Sequence, residues 1–410
     1  MNYAKILKKR SFSWLFLGTL FSNLANSIAN ISLVWVAYNQ FNSPLVIAVV
    51  LAAMQLPALI IGPFMGGFLD KFKKIHLMIL ANLVNALVFI FLVFDPLKSV
   101  VDLFLFIILL IISGAVKPLL MGGTSMVIQD LFSDTTLKNA ANSLITMSFD
   151  LTYIFGSLLS GLVLALGYGL KVYLLVALLY LLIALSYSRI KLSTNRIDTK
   201  NTKKNESYFS DLIKAFKFIK SDHEVVLALL MDFIWNMLLW AGLTVLLPVI
   251  VKEVYSDSAA QYGLLEAMTS VGIVAGSLML GLLKNPKKKL VTIMTGAIAL
   301  HGLLFTLIGF SHSVYLTAGL LLLIGIIVAP ALVYKSTFYQ TVFTTESKGM
   351  LFTLAGTMTS ASYPIGIALA SGLASVLGTH VNLLFIVFGL LTFGIATIVY
   401  TMLEKSKAHA

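Results

Sequence analysis

The sequence predicts an all-α membrane protein with twelve transmembrane helices in two six-helix bundles related by a pseudo-twofold axis. Three observations support this fold class: an apolar composition, about a dozen apolar runs of membrane-spanning length, and an internal repeat. Of the 410 residues, 59% are hydrophobic and 11% are charged, and the mean hydropathy is +0.96. A soluble core cannot bury that much apolar surface, so we expect the chain to reside in lipid.

The apolar runs predict where the membrane spans lie. A helix of about 20 apolar residues crosses the hydrocarbon layer, and short polar breaks separate runs of this length. We expect spans at 12–38, 44–68, 75–94, 103–128, 141–166, 171–188, 224–251, 260–283, 289–310, 314–340, 351–377 and 381–402. The first run is long and leads directly into further spans, so we interpret it as an uncleaved helix rather than a secretory signal.

The basic residues predict the orientation of these spans. With a cytoplasmic N-terminus, all but five of the 29 Lys and Arg residues lie on the cytoplasmic side, in agreement with the positive-inside rule. Of those five, Lys98, Lys171 and Lys252 are outside, and Lys117 and Lys335 fall within spans. The net charge of +12 therefore indicates topology and contact with membrane lipids, without nucleic acid. We expect a bacterial inner-membrane protein with both termini in the cytoplasm.

A polar linker, 189–223, divides the chain into an N-terminal bundle, 1–188, and a C-terminal bundle, 224–410. Within the linker, residues 208–220 show helical spacing of apolar side chains and lysines, which predicts an amphipathic helix at the cytoplasmic interface. The halves repeat at an offset of about 211–214 residues, the pattern of a parallel internal repeat. The matched features are glycines before lysine clusters, a Gly/Pro/Gln pattern in the fourth spans, and glycine-rich stretches in the fifth.

A glycine- and lysine-rich turn follows the second span. It reads Gly66-Gly67-Phe68-Leu69-Asp70-Lys71-Phe72-Lys73-Lys74 and resembles the corresponding loop of the major facilitator superfamily. The residues on family positions are Gly66, Asp70, Lys71 and Lys74. The resemblance implies that this conformational-switch loop holds the cytoplasmic ends of the bundles together in one conformation. Asp70 can do this by capping a helix N-terminus or pairing with a basic side chain.

Further stretches are similar to the macrolide-efflux-like branch of that superfamily: Ser43-Pro44-Leu45, Pro57, Gly62-Pro63, Pro118, Ala141-Asn142-Ser143 and Gln261-Tyr262-Gly263. This branch is associated with proton-driven export of drugs and other amphipathic molecules. The resemblance therefore implies a monomeric secondary transporter whose partners are protons and small amphipathic or cationic solutes. Two positions depart from the family pattern: Ser157 stands where the antiporter signature has proline, and Asn26 where relatives often carry an acid.

Five ionisable side chains fall within the predicted spans: Lys117, Asp150, Asp232, Glu266 and Lys335. A charge at the centre of a membrane helix costs about 2.5–3.5 kcal/mol, so we expect these groups to face water, one another or substrate. Lys335 is near the inner end of its span, where it can reach cytoplasmic water. The proton-coupling candidates are Asp150, Asp232 and Glu266, because a carboxylate can exchange a proton as a cavity opens and closes.

Several roles stay open for two of these acids. Asp150 lies about 14 Å into its span, near the bilayer centre, where it can couple protons, pair permanently with Lys117, or contact substrate. Glu266 lies about six residues from the outer end of its span. For Glu266 an interfacial or gate-forming role therefore competes with coupling.

The substrate-binding candidates are polar side chains repeated at helical spacing. In the seventh span, Asp232, Asn236 and Trp240 recur every four residues and offer a carboxylate, an amide and an aromatic face to a cationic or amphipathic solute. In the first span Asn23, Asn26 and Asn30 lie on one face, and Lys117 is a further candidate. Plain interhelical hydrogen bonding is the alternative for both sets. His301 is expected to pack between helices or to lie at the lipid interface.

The chain has no phosphate-binding Gly-x-x-x-x-Gly-Lys motif, no metal-ligand cluster and no cysteine. We therefore expect neither an enzyme nor a nucleotide-driven pump, and no cofactor. The function we predict is proton-coupled export by alternating access. Two alternatives stay open: a transporter of a native metabolite or lysophospholipid that is not driven by protons, and a membrane sensor that does not transport.

Overall fold

A computed structural model describes residues 2–94, 99–132, 134–191, 216–255, 258–282, 289–342 and 348–408. Within these ranges the regular secondary structure is helical, with no β-strand. A short helix, Asn2–Leu7, precedes twelve long ones. We number the long helices α1 to α12.

The twelve helices follow one another through short connections. Their bounds are α1 Arg10–Phe41, α2 Pro44–Lys71, α3 Lys74–Phe94, α4 Val100–Leu131, α5 Thr135–Ala165, α6 Val172–Ser188, α7 His223–Glu253, α8 Ala259–Leu282, α9 Leu290–Ile308, α10 Val314–Val342, α11 Lys348–Leu377 and α12 Asn382–Ala408. Among the described residues, eleven of these helices are long and apolar enough to cross a membrane, and α5 contains the shorter apolar helix Leu151–Ala165. The predicted all-α fold with twelve membrane helices is confirmed.

Local sequence signals explain where several helices begin and end. Ser99 and Asp102 form a capping box at the start of α4, so two backbone N–H groups at that end are satisfied by side chains. Asp222 accepts hydrogen bonds from two backbone N–H groups at the start of α7. Asn42 ends α1 in the left-handed conformation, with φ 51°, a role that asparagine tolerates well.

Two compact units make up the fold. The first consists of Met1–Asn195 with Ser258–Ala267, and the second of Arg196–Asp257 with Met268–Ala410. The beginning of α8 therefore belongs to the first unit and its remainder to the second. Of the predicted amphipathic helix at 208–220, only residues from 216 onwards are described, and residues 216–221 are helical.

In the first unit, α1 packs against α5 and α6, α2 against α4, and α3 against both α4 and α6. The fully buried ring of Phe89 on α3 stacks on Tyr180 of α6 at 5.6 Å and meets Tyr173 edge-on at 5.9 Å. Ser160 of α5 donates a hydrogen bond to the Ile28 carbonyl oxygen of α1 at 3.3 Å. Apolar packing and interhelical hydrogen bonds thus hold the six helices around a polar interior.

In the second unit, α9 packs against α10 and α12, and α7 packs against α11. Phe305 of α9 and Phe385 of α12 lie with ring centroids 4.9 Å apart. Within α7, the segment Trp235–Trp240 is a π-helix. Such wider turns occur mostly as single insertions in α-helices, often at functional sites, and this one begins three residues after Asp232.

Candidate functional site

A cavity of about 480 Å³ lies inside the first unit, and each of α1 to α6 contributes to its wall. Apolar side chains such as Met54 and Phe89 line it together with hydroxyl groups and four amides, Asn23, Asn26, Asn85 and Asn142. This volume and mixed lining fall in the range of small-molecule sites. A membrane-embedded bundle with such a cavity can hold a small solute that is partly apolar and partly polar.

Lys117 brings a positive charge to this cavity. It follows one turn after Ser113 on α4, so both side chains lie on the same face, and Pro118 comes next in the helix. The side chain of Lys117 is exposed rather than packed. Among the described residues that line the cavity, it is the one with a formal charge.

Of the three asparagines predicted as a substrate-binding set on α1, two line the cavity and one does not. Asn23 and Asn26 line the cavity. Asn23 donates a hydrogen bond to Ser148 at 3.2 Å, and the Tyr180 hydroxyl donates to the Asn26 amide oxygen at 3.4 Å. Asn30 lies one turn further along α1 and is not among the residues that line the cavity.

Asp232 is the centre of a polar cluster in the second unit. Its side chain is 2% exposed, and its Oδ1 receives a hydrogen bond and an ion pair from Lys335 Nζ on α10 at 2.9 Å. Its Oδ2 accepts a hydrogen bond from the Thr359 hydroxyl on α11 at 2.5 Å, and the Asn236 amide donates to Oδ1 at 3.2 Å. Three helices therefore meet at one buried carboxylate. The Lys335 side chain keeps an exposed fraction of 23% in this interhelical pair, and its contact with cytoplasmic water stays a prediction.

The aromatic member of the predicted α7 set, Trp240, is in contact with other aromatic rings. Trp240 packs against Trp235 at 5.8 Å and against His301 of α9 at 5.8 Å, so its ring belongs to an aromatic cluster. Trp235 donates its indole N–H to His301 Nδ1 at 2.9 Å, and both side chains are fully buried. Lys335 Nζ lies 5.8 Å from the centroid of the Trp235 ring, a cation–π distance.

Glu266 lies in the part of α8 that belongs to the first unit. Its Oε2 accepts a hydrogen bond from the Tyr153 hydroxyl of α5 at 3.0 Å, and the Tyr262 hydroxyl one turn earlier on α8 also interacts with this carboxyl group. Tyr262 stacks on Trp35 of α1 at 5.5 Å. Glu266 is therefore held by neutral donors, whereas Asp232 is held by a cation.

Comparison with known proteins identifies the family. Residues 15–362 match the family profile described as Major Facilitator Superfamily. The chain belongs to this superfamily. It is therefore a membrane transport protein of the major facilitator type, and not an enzyme. No curated protein sequence matches the chain significantly.

Solved structures of superfamily transporters share the fold. The nucleoside transporter NupG matches with a TM-score of 0.71 at 12% identity, over 96% of this chain and 99% of that one. A proton-dependent oligopeptide transporter matches with a TM-score of 0.70 at 14% identity, over 97% and 99%. A bacterial homologue of the human lysosomal transporter Spinster gives 0.67 at 13% identity, over 96% and 97%. At these identities the likeness concerns the fold alone.

For several predicted site residues of this superfamily member, the side chain lies outside the described part of the structure. Asp150 lies in α5, but its side chain is outside the described residues, as are those of Gly66, Asp70 and Lys71 at the end of α2. Their roles in proton coupling and in the conformational-switch loop stay predictions. Lys74 is described, and its Nζ forms an ion pair with Asp130 Oδ2 at 2.5 Å, which joins the start of α3 to the end of α4.

We expect Lys74→Ala to lower the free energy of unfolding of this transporter by less than about 1 kcal/mol. The ion pair is partly hydrated, with Lys74 20% and Asp130 41% exposed, so water compensates for most of the lost attraction. Denaturant titration in detergent micelles measures the effect, with the neighbouring exposed lysine as control in Lys73→Ala. A loss several times larger than in the control would show that the pair is shielded from water.

Sequence reasoning missed the partners of its own candidates. Lys335, Thr359 and His301 were not connected to α7, although the lysine within an apolar span was a usable signal, because such a charge needs a partner. Asn85 and Ser113, which meet at 2.8 Å on the cavity wall, were also missed. Their signal was polar residues in otherwise apolar helices.

Proposed function

We propose that the chain is a secondary active transporter that exports drugs or other amphipathic small molecules in exchange for protons, by alternating access. The observation that supports coupling is the buried carboxylate of Asp232, which joins α7 to Lys335 on α10 and Thr359 on α11. The cavity of about 480 Å³ supports a small solute as cargo. The export direction and the macrolide-efflux-like branch rest on the resemblance in sequence.

Proton binding at Asp232 would be linked to the arrangement of three helices. In the ionised state the carboxylate attracts the Lys335 ammonium through a charge-assisted hydrogen bond, which is about twice as strong as a neutral one. Protonation removes that attraction and weakens the connection between α7 and α10. A change of charge at Asp232 would therefore change how α7 and α10 are joined, which is the requirement for coupling. Asp150 and Glu266 are the other candidates for this role.

The proposal includes the placement of the protein. The chain lies in a bacterial inner membrane with both termini in the cytoplasm, as a monomer, with bundles 1–188 and 224–410 joined by the linker 189–223. Asn23, Asn26 and Lys117 contact the solute, and Asn30, Asn236 and Trp240 support the surrounding helices. A lysophospholipid or metabolite transporter without proton coupling, and a sensor without transport, are the competing functions.

Transport by purified protein in liposomes with an imposed pH gradient tests the proposal. We expect addition of macrolides or amphipathic solutes to release protons from the lumen. The release should fall at least about tenfold, a loss of about 1.4 kcal/mol, when the coupling acid is neutralised. The variants are Asp150→Asn, Glu266→Gln, and Asp232→Asn combined with Lys335→Met, so that no buried charge is left unpaired.

Substrate binding is measured for each variant in detergent, because a coupling residue should lose proton movement but keep binding. If the wild-type protein moves solute without protons, the lysophospholipid or metabolite alternative is favoured. If it binds solute but transports none, the sensor is favoured. Either outcome rejects proton-coupled export.

A further inference from the structure

The described residues that line the cavity of the first unit carry charge of one sign only. Among its described lining residues, Lys117 carries the formal charge and no carboxylate is present. Lys117 is an exposed residue of the cavity wall, and no ion pair joins it to a described residue. A positively charged wall repels a cation and attracts an anion, and repulsion of this kind is a common source of specificity.

Two amides of the same cavity wall, those of Asn85 and Asn26, accept hydrogen bonds from protein hydroxyl groups through their oxygens. The Ser113 hydroxyl, one turn before Lys117 on α4, donates to the Asn85 amide oxygen at 2.8 Å. The Tyr180 hydroxyl donates to the Asn26 amide oxygen at 3.4 Å. Each of these amides thus has its accepting end engaged by the protein. The Asn26 NH₂ group also donates one hydrogen bond, to the Ser22 hydroxyl at 3.5 Å, so its second N–H and the NH₂ group of Asn85 remain as donors. Donors in the same cavity as an ammonium group suit a ligand that accepts hydrogen bonds.

The buried carboxylate of Asp232 in the second unit does not offset this preference for an anion over a cation. Asp232 was expected to attract a cationic solute, but its carboxylate is already neutralised by Lys335 and hydrogen-bonded by Thr359. Trp240, the expected aromatic plate for a cation, packs against Trp235 and His301. The two groups that would bind a cation, the Asp232 carboxylate and the Trp240 ring, are therefore already in contact with other side chains of the protein.

We infer that the cavity of the first unit binds solutes with an anionic group, such as a carboxylate or phosphate, attached to an apolar body. Lys117 pairs with the anion, the amides of Asn26 and Asn85 donate to its oxygens, and Met54 and Phe89 contact the apolar part. A volume of about 480 Å³ limits the solute to small-molecule size. This inference rests on the proposed transport function and narrows its substrate from amphipathic molecules in general to anionic ones, so solutes with a basic amine, basic macrolides among them, are expected to bind this cavity weakly.

Equilibrium binding to the purified full-length chain in detergent tests the inference independently of flux and proton coupling. The probes share one aryl-alkyl body and differ in the headgroup, which is a carboxylate, a primary amide or an ammonium. We expect the carboxylate to bind wild type at least about tenfold more tightly than the ammonium, a difference of about 1.4 kcal/mol. Equal or tighter binding of the ammonium probe would overturn the inference, whether or not the protein transports.

Variants at position 117 assign the preference to this side chain. Lys117→Met should weaken carboxylate binding at least about tenfold and change amide binding less than about threefold, while Lys117→Arg keeps the preference. Equal losses for carboxylate and amide would mean that Lys117 acts only in packing. Thermal unfolding of each variant checks the fold, and the wild-type ranking stands even if Lys117→Met fails to fold.

The anionic group can come from a soluble carboxylate or from a lipid headgroup. Lysophosphatidylglycerol, competed against the carboxylate probe, separates the two sources. Competition that weakens in Lys117→Met indicates a lipid phosphate at the same site, and absence of competition indicates a soluble anion. If neither compound binds in a manner that depends on Lys117, the inference is wrong.

Discussion

Lys335→Met is expected to destabilise the second unit by about 3–5 kcal/mol, because it leaves Asp232 as an uncompensated charge at a site that is almost fully buried. The Asp232 side chain is 2% exposed, so water cannot replace the lost ammonium group. Thr359 and Asn236 would still donate to the carboxylate, but both are neutral. Denaturant titration in detergent micelles measures the loss.

The matched control is the double variant Asp232→Asn with Lys335→Met. Removing both charges avoids an unpaired buried ion, and replacement of a buried ion pair by uncharged groups is often close to neutral for stability. We therefore expect the double variant to be more stable than Lys335→Met alone, and the double-mutant cycle to give a coupling energy of at least about 1 kcal/mol. If the two effects simply add, Asp232 and Lys335 do not depend on each other, and the proton-linked pair loses its basis.

Gly325→Ala is expected to have the second-largest effect, a loss of about 1–3 kcal/mol in unfolding free energy from overpacking. In α10, Gly325 lies where a Cβ atom would meet the Thr269 carbonyl oxygen, Gly272 Cα and the Ile273 nitrogen of α8. All three are backbone atoms, which cannot turn aside as a side chain can. The two helices would have to separate to accommodate the added methyl group.

Gly319→Ala, on the same helix, is the control for this prediction. A Cβ atom at position 319 would have no neighbour within 4 Å. Alanine favours a helix over glycine by about 0.5–1 kcal/mol, so this variant should match or exceed the wild type in stability. Thermal or denaturant unfolding of both variants compares them directly. Equal stability of Gly325→Ala and Gly319→Ala would mean that α8 and α10 are not in tight backbone contact.

The membrane helices were predictable because the transfer of apolar side chains into lipid is a local property of a segment. The predicted span 171–188 corresponds to α6, Val172–Ser188, and 224–251 corresponds to α7, His223–Glu253. Ends were less well defined where a helix continues past its apolar part. For example, α12 extends to Ala408 although the apolar run ends near 402. Hydropathy marks the residues in lipid, whereas hydrogen bonding decides where the helix stops.

The candidate sites were predicted as residues but not as an arrangement. Asn23, Asn26 and Lys117 were selected from sequence, and the structure brings them to one cavity with Asn85 and Asn142. The spacing of Asp232, Asn236 and Trp240 suggested a face open to a solute, but Asp232 is engaged by Lys335 and Thr359, and Trp240 packs against Trp235 and His301. Periodicity indicates which residues share a helix face, but not which side chains of neighbouring helices meet that face, so spacing alone could not identify these partners.

The sequence by itself determined the twelve-helix membrane fold and the superfamily, and it identified which charged and polar residues are too costly to face lipid. Only the tertiary structure decided which of these groups pair. Asp232 meets Lys335 and Thr359 across separations of 103 and 127 residues, and the Lys117 ammonium shares a cavity with amides from other helices. The burial cost of a polar group is a property of its own segment, whereas its compensation depends on helices that are distant in sequence and adjacent only in the folded bundle.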